Sequence, residues 1–192
     1  MSKKGTKERI VRSAWALFEQ NGFDNVSVDE IVAAAESSKG SFYHYFSSKE
    51  DLLAEQPQTI DQDYERWLEE CDPEMHAADK LIRIGRMICR TMELNVSLRQ
   101  LTLVYSSQLT TRGERYMAED SQNRWKLFNK VIQEGQAKGE LSDKIACTEL
   151  SQMLDVLLRG LSYNWCLLNG TYSLEAMGDK MLHIFLDSLR IG

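Results

Sequence analysis

From Ser38 to Phe46 the chain reads Ser-Lys-Gly-Ser-Phe-Tyr-His-Tyr-Phe, which gathers a cation, two hydroxyls, two phenols and an imidazole in nine residues. On a helix Phe42 and Phe46 stand at i and i+4 and face a core, leaving Lys39, Ser41, Tyr43, His44 and Tyr45 on the outward faces. Hydrogen-bonding tips carried on aromatic bodies suit the base edges of a major groove and the phosphates beside it. Gly40 costs about 1 kcal/mol in a helix interior. That cost is understandable where backbone must come close to a phosphate or a base edge.

The elements that position this segment are legible on either side of it. Residues 6–21 place Ile10, Ala14, Leu17 and Phe18 on one stripe of an amphipathic helix, and Asn21-Gly22 ends it. Ser27-Val28-Asp29-Glu30 has the form of a capping box and opens a second helix through Ile31-Val32-Ala33-Ala34-Ala35. Ser37 or Ser38 caps a third helix, Lys39 to Phe46, and Ser47 or Ser48 a fourth that starts Lys49-Glu50-Asp51-Leu52-Leu53. Short helices separated by three to five residues have the dimensions of a helix-turn-helix. Pro57 marks either a kink or the boundary of this headpiece, and Tyr64, Trp67 and Leu68 resume the helical period.

Beyond it the sequence predicts long helices at about 75–95, 97–109, 113–138, 143–169 and 172–190, broken at Asp72-Pro73, Asn95, Thr110-Thr111, Lys138-Gly139 and Asn169-Gly170. Two prolines in 192 residues, and no alternating strand pattern, make the class all-α, with about nine helices. The expected division is a headpiece over residues 1–47 and a helical body over 48–192.

Charge is divided along the chain. Residues 1–50 hold seven Lys/Arg and seven Asp/Glu, so the net charge of −6 belongs wholly to the remainder, 16 against 22. Lys3, Lys4, Lys7, Arg9 and Arg12 form a basic arm suited to phosphates. Cys71, Cys89, Cys147 and Cys166 make no zinc-ligand pattern and read as reduced thiols. No cofactor is expected. No apolar stretch has the ~18 residues of a membrane helix, and the N-terminus lacks a signal-peptide core, so a cytoplasmic location with no membrane partner is expected. The three histidines are His44, His76 and His183, the latter two expected at the surface or an interface. No G-x-S-x-G, H-E-x-x-H, P-loop or G-x-G-x-x-G occurs, which leaves an enzyme without support.

The headpiece resembles the helix-turn-helix of the TetR family of repressors, commonly T-V-x-x-I-A-x-x-A-G-V-S-x-G-x-[LF]-Y-x-[YH]-F-x-x-K-x-x-L. The matching residues are Ser27-Val28, Ile31, Ala35, Ser38, Gly40, Phe42-Tyr43, Tyr45-Phe46, Lys49 and Leu52, preceded by Ala14, Leu17, Phe18, Gly22 and Phe23. Val32, Glu36 and Ser37 depart from it, standing where Ala, Gly and a buried Val are usual. Glu36 carries the sharpest consequence, because a non-glycine residue in a left-handed turn is strained and a carboxylate near DNA repels phosphate. The resemblance implies that Lys39, Ser41 and His44 reach base edges or nearby phosphates, that Tyr43 and Lys49 hold the backbone, and that Ser27 contacts phosphate. Ser38, Gly40 and Tyr45 complete the expected DNA-binding surface.

In the body, Leu150, Leu154, Leu157, Leu161, Trp165 and Leu168 make one apolar stripe, widened by Met153, Val156 and Leu158, and Leu174, Met177, Met181, Phe185 and Leu189 make another. The simplest arrangement is a two-fold four-helix interface between two copies, which the resemblance supports. Leu150, Leu154, Leu157, Leu161, Trp165, Met177, Met181 and Phe185 are its expected members. Trp67, Arg86, Met87, Met92, Tyr105, Gln108, Trp125 and Phe128 are candidate lining residues for a small-molecule pocket, whose existence rests mainly on the resemblance. A ligand-released repressor binding a palindromic double-stranded operator as a homodimer is the function implied. Alternatives are a helix-turn-helix protein that activates transcription or recruits a protein partner, and a sensor without DNA binding, toward which only Glu36 points.

Overall fold

Caps that the sequence supplies start the first helices. A computed structural model describes residues 3–53, 55, 59–110 and 116–191. Ser27 Oγ accepts from the Glu30 amide at 3.3 Å while Glu30 Oε2 accepts from the Ser27 amide at 2.7 Å, so the capping box closes in both directions. Ser38 Oγ accepts from the Ser41 amide at 3.1 Å. These caps start α2 (Val28–Ala34) and α3 (Lys39–Tyr45), which follow α1 (Lys3–Asn21).

The expected fourth helix is different. Glu50–Leu53 is a single 3₁₀ turn, and no serine caps it by accepting. Asp51 Oδ2 instead accepts from the amides of Ser47 and Ser48 at 2.6 and 3.1 Å. The acid three to four residues on satisfies these amides, and the Leu52 amide donates to the Lys49 carbonyl at 3.2 Å, the i to i+3 bond of a 3₁₀ turn. Pro57 and Thr111 lie outside the described residues. The later helices are α4 (Thr59–Glu70), α5 (Ala77–Asn95), α6 (Leu98–Thr110), α7 (Tyr116–Ala137), α8 (Cys147–Leu167) and α9 (Leu174–Asp187), so among the described residues the architecture is nine α-helices with one isolated antiparallel bridge, Leu141 to Arg190.

The chain divides into two compact units, Met1–Pro57 with Leu103–Arg112, and Gln58–Thr102 with Gly113–Gly192. In the first, Ile10, Ala14, Phe18, Ile31, Phe42, Phe46, Leu52 and Leu53 are buried, and ring contacts link Trp15 to Phe18, Phe18 to Phe23 and Phe42 to Phe46. In the second, α5 and α9 pack backbone to side chain. A Cβ on Gly178 would stand 2.6 Å from Cys89 Sγ and 3.3 Å from its Cβ, so the approach favours glycine there, and one on Gly85 would stand 2.5 Å from Leu182 Cδ1 and force that side chain to turn. Burial in that seam pushes the Cys89 thiol up to about 12 and leaves it an inert apolar group.

Polar contacts fix the ends of the α5–α9 pair. Glu93 Oε2 accepts from the Ser173 hydroxyl and the Glu175 amide at the start of α9. His76, expected at a surface or interface, caps α5 by accepting from the Ala78 amide at 3.1 Å, and Glu140 accepts from the Ala77 amide at 2.7 Å. At the other end Arg190 binds both oxygens of Asp79 and also reaches Asp187. There Ser142 and Ile191 donate to the Leu189 and Glu140 carbonyls.

Candidate nucleic-acid interface

The two serine caps set the N-terminal turns of α2 and α3, and the four-residue connection between them, Ala35 to Ser38, is tight. Glu36 has φ of +47°, the left-handed conformation expected where glycine is usual, and the Ser37 amide donates to the Val32 carbonyl at 2.8 Å. Ser37 Oγ is shielded from solvent and has no hydrogen-bond partner, as expected of a hydroxyl that occupies a valine's place.

Phe42 and Phe46 point into the core at 0% and 3% exposure, while Tyr43 is 57% exposed. Ser38, Lys39, Gly40 and His44 are exposed, and Ser41 and Tyr45 half-buried. A Cβ on Gly40 would touch only Ser38 Oγ, at 3.8 Å, so the backbone there is open on its outer side. The Tyr43 ring stands edge-on to Phe42, and His44 edge-on to Tyr45 at 4.8 Å. Neighbouring rings therefore brace each other and hold their polar tips outward.

The charged residues are held differently from what their types alone implied. Lys39 Nζ lies 2.8 Å from Asp29 Oδ1, and that hydrogen bond raises the ammonium above its ordinary value. Ser27 Oγ donates to Glu30 Oε2 at 2.7 Å, and the Ser27 amide, the larger influence, joins the hydroxyl in lowering the Glu30 carboxyl. Lys49, expected on a phosphate, turns inward. Its Nζ donates to the carbonyls of Phe23 and Val26 at 2.6 and 2.8 Å and lies 4.2 Å over the Phe23 ring. The loop after α1 offers those carbonyls without helical partners, and an ammonium satisfies two at once.

The basic arm is likewise partly consumed. Lys7 pairs with Glu55 at 2.7 Å and Arg9 Nε donates to the Ala35 carbonyl at 3.3 Å. Asp29 was missed from the sequence as a member of this surface. Its position at the second residue of a capped helix, ten before Lys39, gave no local signal.

In the second unit the expected interface stripe is taken up internally. Leu150, Leu154, Leu161 and Trp165 are at most 6% exposed within the single chain, and the Trp165 indole donates to the Tyr172 carbonyl at 2.8 Å. Leu157 and Phe185 are half-buried. Met177 and Met181 remain exposed, joined by Met153, Val156, Tyr163, Leu167 and Ile184. Both faces of α8 are apolar, and α5, α7 and α9 cover the one that sequence assigned to a partner.

Arg86, a candidate for orienting a ligand, is engaged in ion pairs. Its guanidinium is at the surface, 2.8 Å from Glu175 and 4.0 Å from Asp179, clasping α5 to α9. Of the other candidates, Trp67, Met87, Met92 and Trp125 are half-buried and Phe128 buried, all in the second unit. Met92 Sδ accepts from the Ser162 hydroxyl at 3.2 Å. Tyr105 and Gln108 are buried on the part of α6 that belongs to the first unit. His183 lies 3.3 Å from Asp187 on the exposed side of α9.

A headpiece of three helices, with the third carrying polar tips on a braced aromatic ridge, defines a helix-turn-helix DNA-binding protein. Residues 10–55 match the family model of the bacterial regulatory proteins, tetR family. The chain is 45% identical over 51 residues to the transposon Tn10 TetC protein of Escherichia coli, a match spanning 27% of this chain and 26% of that protein. It is 26% identical over 164 residues to the HTH-type transcriptional repressor DhaR of Mycobacterium sp. (strain GP1), spanning 80% and 79% of the two. Among solved structures it is similar to the transcriptional regulator FadR from Bacillus subtilis in complex with stearoyl-CoA, with a TM-score of 0.75 at 20% identity, covering 96% of this chain and 100% of that one. The headpiece is thus similar to the DNA-binding domain of the TetR family. The chain is a DNA-binding transcriptional regulator, and relatives such as DhaR are named as transcriptional regulators rather than enzymes. No helix among the described residues is long and apolar enough to cross a membrane.

Proposed function

We propose that the protein is a ligand-released repressor that binds a near-palindromic operator as a homodimer. The observation that carries the DNA-binding part is the outward ridge of α3, where Tyr43 is 57% exposed beside exposed Lys39 and His44 while Phe42 is fully buried behind it. Ser38, Gly40, Ser41 and Tyr45 serve the same surface. Ser27 meets phosphate at the start of α2. Lys49 acts by holding the headpiece together. The headpiece binds DNA, and the helical body senses and dimerises.

The dimer reading rests on the uncovered face of α8 and α9. Met153, Val156, Gly160, Tyr163 and Leu167 recur on α8 at alternating steps of three and four, and Met177, Met181 and Ile184 do so on α9. That is the spacing of a helix-packing seam. Val156 is 68% and Ile184 78% exposed, apolar side chains whose burial against a second copy would be favourable. A Cβ on Gly160 would meet nothing within 4 Å, so a second helix can approach there.

The effector is a small, largely apolar molecule. The half-buried Met87, Met92, Trp67 and Trp125 of the body support this, because thioethers and aromatic rings adapt to apolar ligands. Acyl-CoA esters are the first compounds to screen, since FadR of similar fold is described in complex with stearoyl-CoA.

Sedimentation of the protein with a duplex that it selects from a randomised library tests the reading. Two chains per duplex, with two half-sites footprinted about one helical turn apart, and release by an apolar ligand are expected. One chain per duplex, or binding indifferent to every ligand while transcription is activated, would favour an activator instead.

A further inference from the structure

The helix-turn-helix is short of positive charge. Between Gly22 and Ser48 the sequence has one lysine or arginine, Lys39, against Asp24, Asp29, Glu30 and Glu36. Lys49, just beyond, spends its ammonium on two backbone carbonyls. Non-specific DNA binding depends almost wholly on cations that neutralise phosphates, so the state of Lys39 weighs heavily on it. Its ammonium is 2.8 Å from Asp29 Oδ1, and both side chains stand in solvent. Asp29 is in the first turn of α2, and Lys39 is the first residue of α3.

An exposed pair of this kind adds little to stability. Its effect falls on what Lys39 can bind. An ammonium has three protons. With one directed at Asp29 the nitrogen is fixed in place, and two remain, enough for the N7 and O6 acceptors of a guanine. That partner is uncharged, and Asp29 does not repel it strongly. A phosphate drawn to Lys39 instead brings a second anion up to the Asp29 carboxylate, and repulsion offsets much of the attraction.

Resting on the reading of α3 as the element that enters the groove, we infer that Asp29 is a specificity-determining positioning residue. It holds Lys39 for a base edge and weakens its grip on phosphates, so that non-specific binding is depressed more than operator binding.

The test compares two duplexes of equal length and composition, one selected by the wild-type protein from a randomised library and one scrambled. Asp29→Asn keeps the side-chain size and removes the charge. It should raise affinity for the scrambled duplex about tenfold, raise affinity for the selected duplex much less, and steepen the log–log salt dependence on the scrambled duplex by about 0.9, one phosphate's share. Glu36→Gln removes a charge nearby without touching Lys39 and should strengthen binding to both duplexes by the same factor. In a Lys39→Ala background Asp29→Asn should no longer change the ratio of the two affinities. Equal factors on both duplexes for Asp29→Asn, or a ratio change that survives Lys39→Ala, would overturn the inference while leaving DNA binding intact. A wild-type protein that selects no duplex would overturn the underlying reading and the inference together.

Discussion

The Lys49 ammonium lies 2.6 Å from the carbonyl oxygen of Phe23 and 4.2 Å over its ring, so one side chain closes the end of the helix-turn-helix onto the loop that follows α1. With the Val26 carbonyl as second acceptor, the cation satisfies two backbone groups that no helix serves. Lys49→Met should therefore destabilise the headpiece by about 1–3 kcal/mol, the cost of leaving the Val26 carbonyl unpaired, while the Phe23 carbonyl keeps the Val26 amide at 3.3 Å. Hydrogen exchange of amides in residues 22–46 checks this. A variant with unchanged exchange but a salt dependence of DNA binding shallower by about one phosphate would show Lys49 on DNA instead.

Glu36 holds φ of +47° in the connection before α3. Glu36→Gly should relieve about 1 kcal/mol of left-handed strain, partly offset by the greater freedom of glycine in the unfolded chain. Glu36→Gln keeps the strain and should leave stability unchanged. Thermal unfolding of the two variants separates the backbone effect from the charge, which both remove.

The two faces of α8 should respond oppositely. Val156→Glu places a charge on the uncovered seam and is expected to weaken dimerisation at least tenfold in sedimentation experiments, the effect of burying an unpaired charge. Leu154→Ala lies at 1% exposure in the chain's own core; it should cost about 2–5 kcal/mol of stability and leave the stoichiometry of the folded protein alone. The reverse pattern would return the interface to the Leu150–Trp165 stripe.

Asp79 is held below the ordinary value of 3.8 by its hydrogen bond from Arg190, with a smaller opposing push from burial. A carboxyl lowered in the folded state stabilises above its ordinary value, and the contribution disappears as pH falls through the folded one. Docking of the C-terminal tail should thus hold at neutral pH and loosen as pH falls from about 4. Exchange of the Ser142 and Ile191 amides, which bond across that junction, measures the docking. Arg190→Met should loosen the junction at neutral pH and flatten its dependence on acid.

Local rules made the headpiece readable. A hydroxyl and an acid three residues apart specify a capping box in any context, and Ser27 with Glu30 forms one. The alternation of Phe42 and Phe46 with polar residues fixed which face of α3 turns outward, and comparison with the family's turn glycine placed Glu36 in the left-handed region. What stayed hidden depends on partners distant in sequence. Lys49 is a cation in a region that binds an anion, and only the open carbonyls 23 and 26 residues before it reveal its use. Arg86 is polar among apolar residues, as a ligand-orienting group would be, yet Glu175 lies 89 residues on. Both faces of α8 are apolar, and composition does not say which of them the chain covers by itself, so the burial of Leu150, Leu154, Leu161 and Trp165 within one chain has no local signal.

In the proposed function, reading DNA falls to the outward ridge of α3. This role is tested most directly by equilibrium binding of the wild-type protein and the Lys39→Ala/Tyr43→Ala variant to the DNA upstream of its own gene and to a selected duplex, at two salt concentrations. Sequence-selective, salt-sensitive binding that the variant loses while its unfolding temperature is unchanged is the predicted result. Equal binding by the variant, or no selective binding of either duplex by the wild-type protein, would contradict it.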